Sequence, residues 1–110
     1  MPLRARVMYS LEYLKVARQD MVEIAKYISK ELHDPTAALR LADEMVNSAE
    51  KLTKFPYSNP VHFTAKPLKR EYRKLIVKKY IMFYWIDELE KRVIIARVMY
   101  SRRDIDRLLR

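Results

Sequence analysis

Leu14, Ala17, Met21, Ile24 and Ile28 recur at alternating three- and four-residue steps, while Arg18, Glu23, Lys26 and Lys30 fall between them. That period gathers the apolar side chains on one stripe and predicts an amphipathic helix. Asp34-Pro35 then restarts the chain: Asp34 suits an N-cap, and Pro35 fits the first helical position, where its missing N–H does no harm. A second stripe follows at Ala38, Ala42, Met45, Ala49 and Leu52. Two amphipathic helices joined by so few residues predict an antiparallel αα-hairpin.

Around the hairpin the period changes from helical to two. Upstream, Arg4 to Tyr9 reads as a strand, after which Ser10 can cap the first helix. Downstream, Pro56, Ser58, Asn59 and Pro60 interrupt the pattern, and Val61, Phe63 and Ala65 alternate with polar neighbours. Residues 70 to 78, 80 to 86 and 92 to 100 read as further strands, separated by Lys78-Lys79 and by Asp87-Glu88-Leu89-Glu90. The segment from Tyr80 to Ile86 is apolar on both parities, as a central strand would be. Ser101-Arg102-Arg103-Asp104 has the S-x-x-D form that caps a helix, and predicts a last short one through Leu109.

The hexapeptide Ala-Arg-Val-Met-Tyr-Ser occurs twice, at residues 5 to 10 and 96 to 101. Following chain direction from element to element, both copies point the same way. They could therefore lie side by side as the one parallel pair of an otherwise antiparallel sheet. Six residues fall well below a domain-scale repeat, so the copies read as convergence on a similar strand role, or as coincidence. The expected fold is α+β: an N-terminal strand, an αα-hairpin on one face of a mostly antiparallel sheet of four to five strands, and a short C-terminal helix.

A chain of 110 residues, 50% of them apolar, suits a single domain spanning residues 1–110. It has no apolar run near membrane-spanning length and no leader-like N-terminus, which points to a cytoplasmic protein without membrane partners. The absence of cysteine excludes disulfides and thiol chemistry, and with only His33 and His62 no metal site is expected. The absence of glycine excludes Gly-rich phosphate loops, so no nucleotide cofactor is expected either.

The net charge of +9 is uneven. Residues 1 to 55 hold 9 basic and 8 acidic side chains, whereas residues 56 to 110 hold 14 basic and 6 acidic. A one-sided surplus suggests a surface built to meet an anionic partner, the alternative being a solvated basic face. The densest run is Lys66, Lys69, Arg70, Arg73, Lys74, Lys78 and Lys79, relieved only by Glu71. Tyr72, Tyr80 and Tyr84 are interleaved with it; bases can stack on such rings, although core filling is the expected role for at least two. Strand parity puts Ile94, Ala96, Val98 and Tyr100 under the helices and Val93, Ile95, Arg97 and Met99 on the open face. Arg97 is then either paired with an acid such as Glu71 or available to a ligand. Arg102 and Arg103 fall in the predicted first turn of the last helix, where the macrodipole disfavours cations. Either they pair with Asp104 or Asp106, or they form a phosphate or carboxylate site.

Taken in order, "LKVARQDMVEIAKYI", "DPTAALRLADEM", "KFPYSNP", "YRKLIVKKYIMFYWI" and "VIIARVMYSRRDIDRLL" resemble the RelE/ParE superfamily of bacterial type II toxin-antitoxin toxins. The resemblance covers nearly the whole chain and implies a growth-arresting toxin neutralised by a cognate antitoxin. Operator DNA would be contacted only through the antitoxin complex. RelE-like members cut mRNA on the ribosome, whereas ParE-like members inhibit DNA gyrase. Cleavage by a 2′-hydroxyl needs a base, an acid and cations for the phosphorane charge. Arg103 falls where RelE-like toxins carry a phosphate-binding arginine, and Arg73, Lys74 and Lys78 lie near their other basic positions. The resemblance therefore implies catalytic roles for Arg73 and Arg103 only in an endoribonuclease. Lys74, Lys78, Arg97, Arg102 and Arg103 are the expected target- or phosphate-binding set. The segment "DIDRLLR" offers no tyrosine or histidine for proton transfer, and Val77 stands about where a second arginine would be expected. The wording of "RVMYSRRDIDRLL" and "LIVKKYIMFYWI" is closer to the ParE-like branch.

Overall fold

The computed structural model describes residues 8–64, 68–103 and 105–109. The elements run β1 (Ser10–Tyr13), α1 (Lys15–Lys26), a π-helical turn (Tyr27–Glu31), α2 (Pro35–Glu50), a 3-10 turn (Lys51–Thr53), β2 (Arg73–Val77), β3 (Tyr80–Asp87), β4 (Arg92–Tyr100) and α3 (Ile105–Leu109). The strands form one sheet in the order β1-β4-β3-β2, with β1 parallel to β4 and the other neighbours antiparallel.

The helical hairpin forms as its periodicity predicts. Asp34 caps α2, its carboxylate accepting from the Ala37 N–H at 3.0 Å, and Pro35 opens the first turn. Ala17 and Ile28 of the first stripe and Ala38, Met45, Ala49 and Leu52 of the second are buried against Leu75, Val77, Met82, Tyr84, Val93, Ile95 and Val98 of the sheet. Between the helices His33 adopts φ 53°, a left-handed position that glycine commonly fills after a helix. His33→Gly is expected to raise stability by about 1 kcal/mol by removing the Cβ clash, measured as a shift in the thermal midpoint.

Four expectations change. Among the described residues the first strand is Ser10–Tyr13, past Tyr9, where the expected one ends; residues 1 to 7, on which most of that expectation falls, lie outside them, and α1 starts at Lys15 with Leu14, not Ser10, at the N-cap. The parallel pair is real but its register is not that of the repeat: Ser10 to Tyr13 face Arg92 to Ile95, so the second hexapeptide has no β1 residue beside it. Among the described residues Val61 and Phe63 build no strand; Val61 makes an isolated bridge to Arg73 and Phe63 is 85% exposed, while Ala65 lies outside them. The last helix starts at Ile105, leaving Ser101, Arg102 and Arg103 in the turn before it.

The second face of the sheet is covered as well. Ile81, Phe83 and Met99 bury against Leu109, with Leu68, Tyr72, Ile105 and Leu108 around them, so α3 folds back over the side expected to be open. His62 fastens this cover, its Nε2 lying 2.9 Å from Asp106 of α3 and its ring edge-on to Phe83. Both parities of β3 are therefore buried, which accounts for its unbroken apolar sequence.

The face map of β4 is inverted over part of its length by a bulge. Phe83 pairs with Arg97 but Tyr84 pairs with Ile95, so Ala96 has no partner opposite. Past that extra residue Val98 lies under the helices and Met99 opposite, as alternation predicts. Before it, Val93 and Ile95 join the helix-side core, against expectation.

Candidate functional site

One end of the sheet concentrates exposed cations. β2 and β3 are joined by Lys78-Lys79, with Lys78 at φ 57° because no glycine is present to take the left-handed position. β4 finishes beside this turn: Tyr80 pairs with Tyr100, and their rings meet edge to face at 5.7 Å. The Ser101 N–H donates to the Lys79 carbonyl at 2.9 Å, and the Arg103 N–H donates to the Tyr100 carbonyl at 3.0 Å. Those bonds hold Arg102 and Arg103 next to Lys78 and Lys79, although more than 20 residues separate the pairs in sequence.

Beneath them a groove of about 630 Å³ runs between α1 and the strand ends, lined by Tyr27, Leu32, Lys79, Tyr80, Tyr100 and Arg103, with Glu23 on its helical side. Burial, reinforced by the neighbouring Tyr100 and Tyr27, pushes the Tyr80 phenol up, so it stays a neutral hydrogen-bonding group. The arrangement suits a ligand with negative charge and apolar surface: cations at the rim, aromatic rings on the wall.

The other predicted residues are placed differently. Arg97 does not meet Glu71. Its Nε and a terminal nitrogen donate to the two carboxylate oxygens of Asp20 on α1, at 2.8 and 3.0 Å, and Asp20 also accepts from the Val98 N–H at 2.9 Å. β1 ends at Tyr13, so the β4 backbone beyond Ile95 has no strand on that side, and the Asp20 carboxylate takes the place of one. The Asp20 hydrogen bond and charge raise the Arg97 pKa against the opposing effect of burial, so the cation is committed to the fold. Arg73 is only 17% exposed; it donates to the Asn59 carbonyl at 2.7 Å, and its guanidinium lies 5.0 Å from the Tyr57 ring, pinning the segment that leads into β2. Lys74 sits on β2 opposite Phe83, away from the turn. Lys78 lies 3.9 Å from Glu44 of α2 yet stays largely exposed. Of the expected set, then, Lys78, Arg102 and Arg103 come together, and Lys79 joins them. Asp104, offered as a partner for the arginines, lies outside the described residues, and Asp106 is turned to His62. Of the three tyrosines interleaved with the basic run, Tyr84 is buried with its hydroxyl on the Pro56 carbonyl at 2.7 Å, Tyr72 packs under α3, and Tyr80 faces the groove.

Sequence reasoning missed a polar cluster at the opposite end. Glu88, in the β3–β4 turn, accepts from Tyr9, Tyr57 and Lys91, and so ties that turn to the approach to β1 and to the loop after α2. Lys91, then Tyr57 and Tyr9, hold its carboxyl down at about 2, and the Tyr57 phenol is pushed up to about 12 chiefly by the bond to Glu88. Lys91 is a neighbour three residues on, but Tyr9 and Tyr57 come from separate stretches of chain and left no local signal. Because the folded-state pKa is depressed, the stabilisation is present above the ordinary carboxylate value of 4.5 and is lost as pH falls through about 2. Glu88→Gln is therefore expected to lower the thermal midpoint at neutral pH, and the gap from wild type should close as acid titrates the carboxylate. A pH-independent gap would assign the loss to packing.

A family model described as the ParE toxin of type II toxin-antitoxin system, parDE, matches residues 11–105. Among solved structures, the fold is shared with a chain of the chromosomal ParDE TA system from P. aeruginosa, at a TM-score of 0.70 and 18% identity, covering 89% of this chain and 100% of that one. It is also shared with a chain of the toxin-antitoxin complex RelBE2 from Mycobacterium tuberculosis, at a TM-score of 0.56 and 23% identity, covering 87% and 94%. Comparison with curated proteins gives no match.

Proposed function

The chain belongs to the ParE toxin family of type II toxin-antitoxin systems, and from that premise we propose that it arrests growth by binding DNA gyrase in the cytoplasm, and that a cognate antitoxin silences it. The observation that carries the reading is the family match over residues 11–105, and the exposed cations Lys78, Lys79, Arg102 and Arg103 support it. Lys79 and Arg103 on the groove wall, with Lys78 and Arg102 beside them in the chain, suit capture of an acidic protein surface, or of a DNA-bound enzyme, without bond-making chemistry. Attraction of that kind weakens as salt shortens the Debye length.

A second reading, a ribosome-dependent mRNA endonuclease, draws support from one placement. Tyr100, expected in the core, is 37% exposed and lines the same groove as Arg103. A phenol beside a guanidinium pairs a proton donor with a cation for a phosphorane. Arg73, the other arginine of that mechanism, is held by Asn59 and Tyr57, away from the groove.

Antitoxin-free protein assayed in parallel for gyrase supercoiling and for ribosome-dependent mRNA cleavage separates the two. Supercoiling inhibition without cleavage is the expected result; cleavage without inhibition would replace the first reading with the second.

A further inference from the structure

The terminal helix covers only part of its face of the sheet. Ile81 and Phe83 of β3 are buried beneath α3 and its neighbours. Alternation puts Trp85 and Asp87 on that same side, yet Trp85 is only half-buried and stands outside the cluster that α3 covers. A cavity of about 430 Å³ opens beside it, at the end of the sheet opposite the Lys78–Lys79 turn. Its walls carry two aromatic rings, each with a guanidinium over it: Arg70 lies 3.8 Å from the centre of the Trp85 ring, and Arg73 lies 5.0 Å from that of Tyr57.

The acids that line the cavity are already engaged. Asp87 is held by Arg92 at 2.9 Å, and Glu88 by Lys91 and two tyrosines. Glu71 lies 3.9 Å from Arg73. Lys69 and Arg70 line the cavity too, both exposed, and among the described residues neither has an ion-pair partner. A flat apolar platform is thus left with two unanswered cations beside it.

We propose that this cavity binds one unpaired nucleobase and its phosphate, as part of a single strand of nucleic acid. The base stacks over the Trp85 indole, in the place that the Arg70 guanidinium holds in the free protein, and Arg70 turns with Lys69 to the phosphate. A guanidinium and a base are both planar and both stack on aromatic faces, so the Arg70 stack marks the platform a base would use. Bases within a duplex are covered on both faces and do not reach an indole set in a cavity, which selects a single strand. An acidic protein segment would satisfy the two cations but leave the platform idle. The site is separate from the groove at Arg103 and does not rest on the gyrase reading.

Trp85 is the only tryptophan of the chain, so its emission reports this site alone. The full chain is titrated with a deoxythymidine hexamer, its uridine counterpart, a short blunt duplex, and an acidic peptide containing one phenylalanine. At least one hexamer should quench most of the emission and lose affinity as salt rises, and the tighter of the two names the kind of strand. The duplex and the peptide should leave the emission near its starting value. By anisotropy of a fluorescein-labelled hexamer, Trp85→Leu should weaken binding at least about fivefold. Lys69→Glu, at an exposed position, should weaken binding and flatten its salt dependence. Arg103→Ala, at the other end of the sheet, should bind the hexamer as wild type does. No quenching by either hexamer would overturn the proposal, as would equal quenching by the duplex, tighter binding of the peptide, or full binding by a folded Trp85→Leu protein. Should that variant fail to fold, undiminished binding by Lys69→Glu decides against the site instead. Gyrase inhibition without hexamer binding sinks only this inference; hexamer binding without gyrase inhibition sinks only the proposed target.

Discussion

Arg103→Ala is expected to remove most of the growth arrest, whereas Lys26→Ala, on the exposed side of α1, should leave it close to wild type. Arg103 is exposed, lines the groove with Tyr80 and Tyr100, and is positioned by its own N–H on the Tyr100 carbonyl. A charged hydrogen bond contributes about 1.5–3 kcal/mol, so one lost contact should raise the concentration for half-inhibition of the target at least about tenfold. Arg103→Lys separates fork from charge: a bidentate contact would be lost in lysine as well, while a purely coulombic one would survive. Folding should be unaffected, since the guanidinium supports no core residue. Equal potency of the Arg103 and Lys26 variants would move the working surface away from this end of the sheet.

Asp20→Ala should instead act on stability, by about 3 kcal/mol. Removing one member of a largely buried ion pair leaves its partner uncompensated, and here the Val98 N–H also loses its acceptor. Asp20 is 15% exposed, so water replaces the lost bonds poorly. The corresponding fall in thermal midpoint is on the order of 10 °C or more for a domain of this size. Asp20→Asn keeps an acceptor for the Val98 N–H but loses the charge, and should fall between wild type and alanine. A shift near zero for Asp20→Ala would mean that the edge of β4 is satisfied by other means.

Much of this architecture was legible because the signals were local. The three- and four-residue steps from Leu14 to Ile28 predicted the first helix, and Asp34-Pro35 marked the start of the second at the residue where it begins. The apolar segment from Tyr80 to Ile86 predicted a central strand, which β3 is. The site was legible only in outline. Lys78, Arg102 and Arg103 were expected, but no helix N-terminus holds the arginines: the terminal helix starts at Ile105 and leaves both outside it. Their proximity to Lys78 instead comes from backbone bonds between the ends of β3 and β4.

The sequence by itself determined the order of the elements, the two apolar helix stripes, the parallel sense of the first and last strands, and the excess of cations in the second half. Each follows from residue type and short-range period. Tertiary structure decided the register, the bulge and the partners. The repeated hexapeptide shows the limit: its two copies were expected side by side, yet β1 starts at Ser10 and lies opposite Arg92 to Ile95. One unpaired residue at Ala96 reversed the faces of Val93 and Ile95, because a period of two holds only while the ladder stays regular. Arg97 looked equally suited to a ligand or to an acid such as Glu71, and Asp20, 77 residues away, holds it. Pairings across that much chain are set by how helices and sheet pack together, and no local pattern of residues encodes them.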